Sequence, residues 1–389
     1  MSTPENKDLR CTSVECGREP RRSPETISAQ LPNTAGEVSA SWLQDVLSMG
    51  KVNGVEARPL GSVNGFTGQV ARLALTAEDG LPQTLIAKFP NADPGRKAMF
   101  ARLGYAAHEL SFYRTIASRI DLRVPRLYFG ALDPETGDSI LLLEDLGAPH
   151  CLGSMDSECS MADARDVMSA IAGFHSVHWG AVDGLDWIPE ARLGAEKTQH
   201  AFTGPWWPAF LEKVSAHTPE LLAAGAPLRD LGEAVGVNVA AVKEAFSRPP
   251  STIVHSDFRV DNIFRIGKEI AIIDWENIVR ARGATDIGYF AISSLSADTR
   301  REHENALLDA YWRALKEAGV HDYTKDQCLQ DYRLGIVNAY IVMVLGVALL
   351  DAMSQRDPAW TLEMLRRMEA ASSDHQLVTW LKDGGLIRG

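Results

Sequence analysis

The chain has 389 residues, 45% hydrophobic and 23% charged, enough to bury a large core and to divide into two lobes. Its net charge of −12 argues against non-specific nucleic-acid binding, which needs a basic face to replace phosphate counterions. Five cysteines (Cys11, Cys16, Cys151, Cys159 and Cys328) are sparse and lack zinc-type spacing, so a reducing cytoplasm is the expected setting.

Residues 1–34, rich in Pro, Ser, Arg and Glu, read as a flexible tail without the apolar core of a signal peptide. A helix is expected where Trp42, Leu43, Val46 and Leu47 recur at helical spacing. Residues 55–75 then change to strand, turn, strand. The turn Gly65-Phe-Thr67-Gly68 carries glycines, which let backbone N–H groups approach phosphate oxygens without Cβ interference. Gln83-Thr-Leu-Ile-Ala-Lys88-Phe89 is a short apolar strand with one lysine, and helical periodicity returns over residues 105–116, around Glu109. Two more strands, 124–130 and 139–143, flank the turn Asp133-Pro-Glu-Thr-Gly137, and the second runs into Glu144-Asp-Leu146-Gly.

Beyond this point the pattern is mainly helical. Residues 161–179 form an apolar stripe that includes His175 and His178; no third metal ligand is evident nearby, and both read as packing residues. Further helices are expected over 207–223, 228–247, 286–296, 300–318, 326–352 and 358–371. The longest uncharged run, between Arg333 and Asp351, contains Asn338, Tyr340 and two glycines and reads as a buried helix, with no membrane span.

The most informative stretch is Ile253-Val-His-Ser-Asp257-Phe-Arg259-Val-Asp-Asn262-Ile-Phe, followed by Ile272-Ile-Asp274-Trp-Glu276. An Asp, an Asn five residues later and a second Asp after a hairpin suit phosphoryl transfer. There one carboxylate orients an attacking hydroxyl, while an amide and another carboxylate hold Mg²⁺. Flanking apolar runs (251–254, 262–264 and 270–273) read as short buried strands that fix these side chains at one mouth.

The spacing resembles the catalytic loop of the aminoglycoside phosphotransferase and choline kinase superfamily, which carries His-Gly-Asp-x-x-x-x-Asn and then Ile-Asp-Trp/Phe-Glu/Gln on a protein-kinase-like fold. The resemblance implies an α+β, bilobal molecule: a small antiparallel-sheet lobe over residues 35–145 and a larger, mainly helical lobe over 146–389. It also implies ATP and Mg²⁺ as cofactors, with Asp257 as catalytic base and Asn262 and Asp274 as metal ligands. Lys88 would reach the α- and β-phosphates and pair with Glu109. The Gly65, Thr67 and Gly68 turn would cover the phosphates, and Glu144 C=O and Leu146 N–H would hold adenine. Arg259 would point toward the γ-phosphate or pair with Asp261, and Asp286 would brace the catalytic loop. Ser256 departs from the family glycine and would carry strain if its φ is positive.

Ala107-His-Glu-Leu-Ser-Phe-Tyr113 and Ile140-Leu-Leu-Leu-Glu-Asp-Leu146 are more similar to the ecdysteroid-kinase-like branch than to antibiotic-modifying members. The implied partner is a small hydroxylated substrate, bulky and apolar if the aromatics at 206–210, 289–290, 311–312 and 340 line its pocket instead of the core. The alternative is a catalytically inactive pseudokinase, a nucleotide- or partner-binding module whose support is Ser256.

Overall fold

The computed structural model describes residues 31–47, 50–60, 67–78, 80–154, 158–349 and 358–387. Gly65 and most of the expected tail lie outside these residues.

Alternation builds the smaller lobe. In β3 (Thr84–Pro90), Leu85, Ala87 and Phe89 are buried on one face of the sheet. Ile86 and Lys88 therefore turn to the other, as a two-residue period requires. β5 (Ser139–Glu144) is buried on both faces, with Ile140 and Leu142 in the small-lobe core and Leu141 and Leu143 in the main core. Together with β1 (Val52–Leu60), β2 (Gly68–Ala77) and β4 (Leu127–Leu132) these strands make one antiparallel sheet in the order β1-β2-β3-β5-β4. The helix α1 (Ala40–Leu47) covers one face with Trp42, Leu43 and Leu47.

Two further helices follow β3. Periodicity gives no sign of α2 (Pro94–Leu103), which is defined instead by its ends. Asp93 accepts from Arg96 N at 2.8 Å, Pro94 opens the first turn, and Gly104 at φ 77° closes the helix. The same glycine starts α3 (Tyr105–Thr115), which carries Glu109.

The larger lobe is helical. In α4 (Met161–Val177) the Ser160 side chain accepts from Asp163 N, capping the first turn. His175 on α4 is fully buried, bonded to Tyr311 (2.8 Å) and Asp286 (3.3 Å), in keeping with a packing role. The expected helix 207–223 stops early: α5 (Ala195–Ala201) precedes α6 (Trp207–Ser215), and Pro219 then opens a separate short turn. The expected helix 228–247 divides into α7 (Pro227–Gly236) and α8 (Val239–Phe246). Asn238 makes the break by bonding the Ala234 carbonyl through Nδ2 at 2.8 Å. Two small ladders follow, β6 (Thr252–Val254) with β9 (Val279–Ala281) and β7 (Ile263–Ile266) with β8 (Glu269–Ile272). These supply the short buried strands expected around the motif.

Behind them α10 (Ala297–Glu317) packs on α4, and α11 (Lys325–Leu349) crosses α9 (Ala284–Ser294). By length and composition α11 could cross a membrane, yet 67% of its most apolar stretch is buried in the lobe. The α9–α11 crossing is close because both helices present glycine: a Cβ on Gly288 would run into the Tyr332 carbonyl, and one on Gly335 into that of Thr285. Gly335→Ala is therefore expected to lower the unfolding free energy by about 1–3 kcal/mol, the usual scale of overpacking. Chemical denaturation checks this; an unchanged midpoint would mean that the crossing has slack.

Candidate active site

Strand parity places Lys88 under the sheet, and α3 aims Glu109 at it. Lys88 Nζ donates to both Glu109 oxygens (2.7 and 2.8 Å) and to Asp274 Oδ1 (2.6 Å). Burial acts to lower the lysine pKa, but Asp274, Glu109 and Glu276 outweigh it and hold the ammonium well above its ordinary value. Burial works against ionised Asp274, but Lys88 prevails and holds that carboxyl below the usual range. Glu276 differs from Asp274: burial first, then Asp274 and Glu109, push its carboxyl well above the usual range.

Asp274 stands at φ 70°, just after β8. Its neighbour Trp275 is fully buried and stacks on Phe112 of α3 (4.0 Å between centroids), edge-on to Phe174 of α4 and His255. One indole thus joins the helix of Glu109 to the larger lobe.

The loop after β6 carries Asp257, and Asp286 at the start of α9 braces it. Asp286 Oδ2 accepts from His255 N (2.7 Å) and Oδ1 from Ser256 N (2.9 Å). His255 Nε2–H in turn bonds the Ile273 carbonyl at 2.8 Å, leaving Nδ1 to accept from Asp257 N at 3.2 Å. Ser256 holds φ 64°, so the condition set for strain at this position is met, with its N–H anchored to Asp286.

Three side chains hold the Asp257 carboxylate. Asn262 Nδ2 (3.2 Å) and Arg259 Nε (3.3 Å) donate to Oδ2, and Tyr289 OH donates to Oδ1 at 2.9 Å. Arg259 also pairs with Asp261 at 3.2 Å, the second of the two readings open for it in the sequence. Tyr289 is the residue that sequence reasoning missed as a partner of Asp257. Its position three residues, or nearly one helical turn, beyond Asp286 was the available signal. Burial first, and then Asp257, push its hydroxyl well above the usual tyrosine pKa, so it stays a donor.

These groups open into one cleft of about 790 Å³ between the lobes. Thr67, Gly68, Glu144 and Leu146, expected from the sequence to meet a nucleotide, all line it, with Leu143 and Ile273. The Glu144 carboxylate is committed to Arg123 and to Arg126 N. Gly68 has a second reason to be glycine, because a Cβ there would strike the Phe89 carbonyl across the ladder. Val342, Met343, Trp360 and Met364 give the same cleft an apolar surface. Of the aromatics singled out in the sequence, Tyr289 lines the cleft, whereas Phe210, Phe290, Tyr311 and Tyr340 are core.

Comparison with solved structures places this arrangement among known folds. A GDP complex of an aminoglycoside 2′-phosphotransferase of type IIIa superposes with a TM-score of 0.52 at 13% identity, over 86% of this chain and 96% of that one. A spectinomycin phosphotransferase in complex with ADP and spectinomycin gives 0.52 at 12% identity, over 87% and 99%. A choline kinase from Cryptosporidium parvum overlaps less well, with a TM-score of 0.49 at 12% identity over 90% and 93%. The fold is the bilobal fold of the small-molecule kinases in the protein-kinase-like superfamily. The ecdysteroid kinase-like family model matches residues 62–321, and the chain belongs to that family. No curated protein matches it significantly in sequence.

A serine at φ 64° carries a Cβ penalty that glycine does not. Ser256→Gly is expected to raise the unfolding free energy by about 0.5–1 kcal/mol while leaving nucleotide affinity unchanged. A loss of stability in denaturant titration would show that the serine hydroxyl contributes more than the strain costs.

Proposed function

We propose that the protein transfers the γ-phosphoryl group of ATP to a hydroxyl of a bulky, largely apolar small molecule, with Asp257 as base and Mg²⁺ as cofactor. The observation that carries this reading is the convergence on one cleft of Asp257, held by three donors, and the Lys88–Glu109–Asp274 cluster. The family match and the nucleotides bound in the structural relatives support the same class of chemistry.

In this reading the acceptor oxygen attacks the γ-phosphorus, the bond to the ADP oxygen breaks, and the acceptor proton passes to Asp257. Positioning and charge neutralisation do most of the work in such transfers. Tyr289 and Asn262 fix the carboxylate plane so that one lone pair faces the acceptor. Arg259 adds positive charge beside it, and Lys88 neutralises the nucleotide phosphates. The adenine end rests on the backbone of Glu144 and Leu146, and the phosphates lie under the turn that carries Thr67 and Gly68. Asp274 and Asn262 are hard oxygen donors of the kind Mg²⁺ prefers. The Asn262 amide nitrogen is spent on Asp257 (2.9 Å to its carbonyl), which leaves the amide oxygen for a cation. The ion would supply charge neutralisation at the phosphates.

The apolar surface of the cleft, with Val342, Trp360 and Met364, supports a bulky apolar acceptor over a polycationic one. The first test is ADP release with Mg·ATP over a panel of sterols, hydroxyacyl compounds, macrolides and aminoglycosides. Asp257→Asn is expected to reduce turnover by about 10²–10⁴-fold, roughly 3–5 kcal/mol of barrier. Asp274→Ala should weaken Mg·ATP binding as well as turnover. Full activity in both variants would overturn the assignment.

Tyr289→Phe removes one donor from the charged carboxylate and is expected to lower kcat by roughly ten- to a hundredfold, with Mg·ATP affinity unchanged. Steady-state kinetics beside nucleotide titration separates this from a general loss of fold.

A further inference from the structure

A half-buried lysine without a carboxylate partner among the described residues opens into the same cleft. Lys243 lies on α8, lines the cleft, and donates from Nζ to the Ala191 carbonyl at 3.3 Å, its one hydrogen bond among the described residues. Among the described residues no carboxylate oxygen lies within 4.0 Å of it. Other buried cations of this chain are neutralised: Lys88 by Glu109 and Asp274, Arg282 by Asp331, Arg300 by Glu304 and Asp374. Burial lowers the Lys243 pKa, and no neighbouring charge acts to restore it. An ammonium taken out of water with one neutral acceptor is costly to keep and is relieved when an anion arrives.

The surroundings indicate which molecule would bring that anion. Acidic groups of the cleft include Asp257, Asp274, Glu276 and Glu144. The same cleft offers Asn277 and Asn338 as neutral hydrogen-bonding side chains and Val342 and Trp360 as apolar surface. A nucleotide bound between the sheet and Asp274 would neutralise Lys88 and leave Lys243 without a partner.

We propose that Lys243 is an anion subsite for the acceptor, which is therefore an amphipathic hydroxyl compound bearing a carboxylate. This rests on the small-molecule kinase reading above for what the cleft holds. The apolar body lies along Val342 and Trp360, the hydroxyl reaches Asp257, and the carboxylate pairs with Lys243. The lysine is a specificity residue and takes no part in transfer.

The test is calorimetric binding to the full chain of two carboxylates of different shape, ω-hydroxydodecanoate and a hydroxylated bile acid, each against its methyl ester. The expected result is at least one acid bound about tenfold or more tighter than its ester, as for a charge-assisted bond. Lys243→Met should erase that difference and leave ester affinity and Mg·ATP affinity unchanged. Lys243→Arg should preserve it, and Lys243→Gln serves if the methionine variant fails to fold. Acids and esters that bind alike, or acids that do not bind, overturn the proposal. So does an acid preference that survives loss of the lysine, or a variant that loses thermal stability without changing selectivity. Because the readout is binding, absence of turnover with every acceptor would count against the kinase reading and leave an observed acid preference standing.

Discussion

The Lys88 ammonium is the point on which the two lobes agree. It is bonded at once to Glu109 from the small lobe, which is buried, and to Asp274 from the large one, which is partly open to the cleft. Such a bridge tolerates little error, since breaking a buried ion pair leaves an uncompensated charge. The apolar partner of this tie is Trp275, next to Asp274, whose stack on Phe112 sets how far α3 stands from the catalytic loop. Packing fixes the distance, and charge uses it.

A second constraint orders the large lobe. Asp286 spends both oxygens on backbone N–H groups of the loop that carries Asp257, while α9 also presents Tyr289 to the carboxylate itself. The position of α9 is set in turn by its close crossing with α11 at Gly288 and Gly335. The chain from a helix crossing to the orientation of one carboxylate is short, and each link is a hydrogen bond or a steric limit.

The spacing from Asp257 to Asn262 and Asp274 was legible because these residues are local, set on a loop and a hairpin that a few strand residues determine. Lys88 was legible for the same reason, since parity along a seven-residue strand decides its face. The buried character of α11 also followed from its run of apolar residues. Missed features had non-local or weakly periodic causes. The helix α2 has almost no amphipathic stripe and is held by its caps, and the break at Asn238 depends on a side chain bonding a backbone carbonyl.

By itself the sequence determined the class of fold and the set of chemical groups, because the alternation of strands, the caps and the motif spacing act over a few residues. Only the tertiary structure decided which groups meet. It put Tyr289 on Asp257, bonded Arg259 to two acids at once, sent most of the large-lobe aromatics to the core, and left Lys243 facing the cleft without a carboxylate partner among the described residues. Those outcomes depend on helix crossings and on contacts between residues far apart in the chain, which no local pattern encodes.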